Sequence, residues 1–149
     1  MSDTLESFSA EAIENELTDQ RRQELKKFSQ KIEVEFKNLA LLNAALTHTS
    51  YANEKEKTIP NNERLEFLGD AVLKLTISDL LYNMFETNEG EMSKIRATLV
   101  SDNTLAEICQ NCGLADLIIM NKSEEKHGGR KLNSICACAF EAILRSEER

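Results

Sequence analysis

The sequence predicts an all-α protein, on three observations. Its 149 residues hold only five Gly and one Pro, too little turn material to connect many strands. Long runs are rich in Leu, Ala, Glu and Lys, which favour helix. Apolar residues recur at intervals of three and four through most of the chain, the spacing of one helix face. The length suits one domain with a single helical core.

Residues 1 to 20 carry six acids and no Lys or Arg. With no sustained apolar stripe, residues 1–18 are expected to be a flexible acidic extension. The domain proper is then 19–149. A first helix is expected from Asp19 to about Val34 on Leu25, Phe28 and Ile32. Asn38 reads as the N-cap of a second, Leu39 to Thr47, with a stripe of Leu41, Leu42, Ala45 and Leu46. Tyr51 to Asn62, with Pro60, reads as a polar connection.

A long helix is expected from Glu63 to Phe85. It sets three acids into an apolar run, with Leu65, Leu68, Val72 and Leu75 on one side and Leu73, Ile77, Leu80 and Met84 on another. Glu63, Glu66 and Asp70 share one face, where like charges repel, and an oxygen-bound hard cation would remove that repulsion. Gly69 inside this helix costs about 1 kcal/mol against Ala, which suggests close approach of another chain segment. Glu91 to Val100 follows, then a helix from Ser101 or Asp102 to Asn111 that Gly113 can end. Ile118 to Asn133 reads as a polar loop with Gly128 and Gly129, and Ser134 to about Arg145 as the last helix.

No run of about eighteen apolar residues offers a membrane span, and the acidic N-terminus does not read as a secretory signal. The expected place is the cytoplasm, with the four cysteines as reduced thiols.

The run Glu63-Arg64-Leu65-Glu66-Phe67-Leu68-Gly69-Asp70-Ala71-Val72-Leu73 resembles the signature of the ribonuclease III family, metal-dependent endonucleases that cut double-stranded RNA. Four more stretches match in order: His48-Thr49-Ser50-Tyr51, Glu89 to Arg96, Gly128-Gly129-Arg130, and Ala139-Phe140-Glu141-Ala142. The resemblance runs from about Leu25 to Leu144. It implies an all-α ribonuclease III-type domain, homodimeric, cleaving double-stranded RNA with magnesium, or possible manganese, in the processing of rRNA and mRNA precursors. Glu66, Asp70 and Glu141 match the metal-holding acids, with Asp70 and Glu141 catalytic. Glu63 and Glu91 match auxiliary acids, and Phe67 falls at a dimer interface. Lys126 and Arg130, in the loop from Lys122 to Lys131, are candidates to touch RNA phosphates.

Two departures stand out. The family's second-helix Asp falls on Cys138, at i and i+3 with Glu141, and magnesium binds thiols poorly. Only eight residues follow Glu141, where the family continues with further apolar helix and many members add a double-stranded-RNA-binding domain. An incomplete domain with exposed apolar surface is expected.

The net charge of −8 weighs against RNA, though outside the first 20 residues it is only −2, and an acidic metal centre counts as negative until loaded. Two further readings stay open. One is a catalytically impaired module for dimerisation or RNA binding. The other is a zinc-stabilised protein using Cys109, Cys112, Cys136 and Cys138, disfavoured because residues 136 and 138 lie about 200° apart on a helix.

Overall fold

The computed structural model describes residues 17–55 and 59–146. The acidic extension predicted for 1–18 lies outside these residues except at its end, where Leu17 is buried and Thr18 caps the first helix.

The helices are α1 (Asp19–Lys31), α2 (Leu39–Ala45), α3 (Thr49–Glu54), α4 (Glu63–Met84), α5 (Glu89–Leu99), α6 (Asp102–Cys112), α7 (Lys122–Lys126) and α8 (Asn133–Ser146). Short 3-10 turns lie at Ala115–Leu117 and Gly129–Lys131. Among the described residues there is no strand, only an isolated parallel bridge between Thr47 and Ile119. The fold is all-α, as the composition predicts.

Capping explains most helix starts. Thr18, Asn38, Asn88, Ser101 and Asn121 each accept a backbone N–H of the first turn on a side-chain oxygen, and His48 does so through Nδ1. Gly113 ends α6 in the left-handed region at φ 81°, the predicted stop.

One core gathers Leu25, Phe28, Leu42, Leu46, Cys109, Leu114, Ile118, Cys136 and Ile143 around α8. A satellite core joins Leu73 of α4, Leu105 of α6 and Ala137 of α8. Helix α8 thus packs on both α4 and α6. Arg21 staples α1 to the rest, its Nε donating to Asn43 Oδ1 at 2.9 Å and its Nη2 to the Leu117 carbonyl at 2.6 Å.

Two expectations are corrected. Residues 51–54 are helical where a polar connection is predicted; they belong to α3, whose six residues are too few to show a periodic stripe and which is started by His48. The expected polar loop after Ile118 contains α7 and the second 3-10 turn, and Ile118 is buried. Helix α4 shows exposed apolar surface, as expected, and buries only Gly69, Leu73 and Leu81. Leu68, Val72, Leu75, Leu80 and Met84 are exposed, because the apolar side away from α8 has no cover within the described chain.

Candidate metal centre

Site geometry begins at Gly69. A Cβ there would overlap the backbone carbonyl oxygen of Glu141, so only glycine lets α4 and α8 cross this closely. The close approach expected from the sequence is with the backbone that carries a candidate acid. On a helix Glu66 and Asp70 fall on the side of Gly69 and Leu73, which faces α8.

The electrostatics record the meeting. The Glu141 carboxyl is pushed up to about 7, first by burial, then by the negative charges of Asp70, Glu66 and Asp102, with Lys74 opposing. The Cys138 thiol is pushed up to about 12, first by burial, then by its hydrogen bond to Glu66 and by the charges of Glu66, Glu141 and Asp102. Glu66, Asp70, Cys138 and Glu141 are therefore one electrostatic unit built from two helices.

Asp102 is an acid of this neighbourhood that sequence reasoning assigned only to a helix start. It sits in the first turn of α6, after the Ser101 cap, and its field reaches α8 because α6 packs there. No motif spacing announces it.

Other candidates lie apart. Glu63 is exposed and its backbone N–H donates to Asn61 Oδ1 at 3.1 Å. Glu91 is exposed, paired with Lys94 at 3.5 Å. Neither is among the groups that shift Glu141 or Cys138. Lys126 is exposed at the end of α7. Arg130 is half-buried and bonded, its Nε to Glu125 Oε1 at 2.6 Å and its Nη1 to the carbonyls of Ala115 at 2.8 Å and Asp116 at 3.1 Å. It ties the glycine turn to the body. Phe67 is 82% exposed.

Among the described residues, no three His, Cys, Asp or Glu side chains are arranged as they stand to hold one metal ion. Asp70 Oδ2 accepts from Lys74 Nζ at 2.6 Å. An exposed i,i+4 pair of this kind is worth only about 0–1 kcal/mol, too little to hold Asp70 from a divalent cation. Three repelling carboxylates fit a hard cation in their chemistry. The thiol does not fit magnesium. All four cysteines are free; Cys109 and Cys136 are buried, and Cys136 donates to the Arg130 carbonyl at 3.2 Å.

The fold is that of ribonuclease III nuclease domains. Two structures of this domain from Campylobacter jejuni match it at TM-scores of 0.75 and 0.73, with 43% and 42% identity over 82% of this chain and 82% and 80% of theirs. One of them is described as flexible in the region involved in dimer formation. The family model described as Ribonuclease-III-like matches residues 38–146, and the chain belongs to that family. Ribonuclease 3 of Clostridium tetani is 52% identical over 124 residues, 83% of this chain and 52% of the relative. That of Borreliella burgdorferi is 43% identical over 129 residues, 86% and 53% respectively. The chain spans about half the length of these curated relatives.

Proposed function

We propose that this chain supplies the nuclease centre of an endoribonuclease that cuts double-stranded RNA by divalent-metal-dependent phosphodiester hydrolysis. The observation that carries this is the crossing at Gly69, which brings Glu66 and Asp70 of α4 against Glu141 of α8 in a chain of this family.

Glu66, Asp70 and Glu141 would hold the cation, magnesium or manganese, which would supply activation of water and offset charge building on the phosphodiester. The chain's own residues prepare for it. Packing α8 against α4 half-buries Glu141, and that burial, with the neighbouring charges, raises its carboxyl to about 7. Lys74 steadies Asp70 from the solvent side. Glu63 and Glu91 serve, in this reading, as auxiliary acids around bound RNA. Phosphate contact falls to exposed Lys126 and to Arg130, the latter chiefly by holding the loop in place. The working form is a homodimer paired through Phe67 and the exposed apolar side of α4. Precursor rRNA and mRNA are the proposed substrates, and the cytoplasm the proposed place of action.

A second reading is favoured by one observation: Cys138, one turn before Glu141 on α8, stands where a fourth carboxylate would complete the centre. In that reading the domain binds or dimerises without cutting.

The test is to incubate the purified protein with a long RNA duplex in magnesium and in manganese. Short duplex products, with the single strand left uncut, are expected. A folded protein that binds the duplex yet releases no products with either ion would establish the second reading.

A further inference from the structure

The donor set disagrees with magnesium at one atom, the sulfur of Cys138. Cys138 stands one helical turn before Glu141 on the same face of α8, and the crossing at Gly69 sets the Glu141 backbone against the turn of α4 that follows Glu66. The crossing thus offers one sulfur beside carboxylate oxygens. That mixed pair of donors suits borderline-soft ions and is a poor match to magnesium.

We propose that Cys138 makes this centre selective for thiophilic divalent cations, of the zinc, cobalt and cadmium class, over magnesium. The inference rests on the metal-centre reading above and changes which ion the centre takes. On binding, the cation displaces the thiol proton, which leaves to solvent, and the sulfur bonds to the ion as thiolate. Glu66 and Glu141 contribute oxygens beside it. The other thiols lack this setting. Cys136 is buried between the Gln110 side-chain amide at 3.3 Å and the Arg130 carbonyl at 3.2 Å, and Cys112 donates to the Cys109 carbonyl at 3.5 Å. No carboxylate is hydrogen-bonded to any of these three among the described contacts.

The experiment is a cobalt titration of the full chain, followed by the thiolate-to-cobalt charge-transfer absorption and by magnesium competition. Native protein, Cys138→Ser, Cys112→Ser and Cys138→Asp are compared, with circular dichroism showing that each is folded. The band is expected in native protein and in Cys112→Ser, and is expected to vanish in Cys138→Ser. Magnesium should displace cobalt from Cys138→Asp at concentrations about tenfold or more below those the native chain requires. Absence of the band in folded native protein would overturn the proposal, as would its persistence in Cys138→Ser or equal magnesium competition in native and Cys138→Asp proteins. Cys138→Asp separates the two readings. If it binds magnesium and cuts duplex RNA while native protein shows no band, selectivity alone fails; if it does neither, the nuclease reading fails as well.

Discussion

Glu141 meets three like charges from two other helices, and this makes its protonation a reporter of the site. Its folded value of about 7 lies above the ordinary carboxyl value of 4.5, so between these limits the folded chain holds more proton than the unfolded one. Stability contributed by this group is therefore greatest in acid and is lost as pH rises through about 7. In chelator, thermal melts of the native chain should show a higher midpoint near the acid end of this window. Glu141→Gln should flatten that dependence, since its amide does not titrate. The same variant should lose duplex cleavage by more than the ~100-fold that removal of a supporting outer-shell group costs, with helix content unchanged. Unaltered cleavage would remove Glu141 from the metal ligands. At Cys138, Cys138→Asp should raise single-turnover cleavage in magnesium by about tenfold or more, because an anionic oxygen replaces a thiol. Equal rates across a magnesium titration would place residue 138 outside the reacting centre. These residues were readable in the sequence because their spacings are local: Glu66 with Asp70, and Cys138 with Glu141. Asp102 was not, since it reaches the site only through the packing of α6 on α8.

At the scale of elements, the α4–α8 crossing decides whether the two pairs of ligands meet. Gly69→Ala gains about 1 kcal/mol of helix propensity but drives a methyl into the Glu141 backbone. Backbone cannot rotate away as a side chain can, so overpacking of at least the usual ~1–3 kcal/mol should prevail. Urea melts should show net destabilisation, and the elevated Glu141 carboxyl should fall back as the helices separate. A stabilised Gly69→Ala protein would contradict the packing. Long helices with a clear period were legible to within a few residues, α4 ending at Met84 against an expected Phe85. Short α3 and α7 were not, because one or two turns carry caps but no stripe. The apolar pattern of α4 was also legible, yet it could not say which side finds cover, since that depends on what lies opposite.

The molecule as a whole presents an apolar stripe in Phe67, Leu75 and Tyr82, exposed by 82%, 72% and 75%, within about 80° of one another around α4. Such a patch fits the proposed pairing. Sedimentation at tens of micromolar, a range chosen to reveal weak pairing, should show a dimer that Phe67→Glu shifts to monomer. A native chain that stays monomeric there would remove the homodimer from the proposal.

The bridge between Thr47 and Ile119 has a consequence for motion. His48 N–H donates to Ile119 O and Ile119 N–H to Leu46 O, both at 2.8 Å, while Asn62 N–H donates to Thr47 O at 2.9 Å. The start of α4 is thereby clasped to the core at its base, whereas α5 has no buried residue and is joined to α4 by Arg96 donating to Ser78 Oγ at 2.8 Å. Local opening should therefore have two tiers, with α5 exchanging its amide hydrogens by fraying and the clasp amides of His48, Asn62 and Ile119 exchanging only through global unfolding. Deuterium exchange that protects α5 as strongly as the clasp would contradict this. The half of α4 that carries Glu66 and Asp70 should then stay registered to α8 while α5 frays, leaving the outer surface free to adapt without loosening the acids.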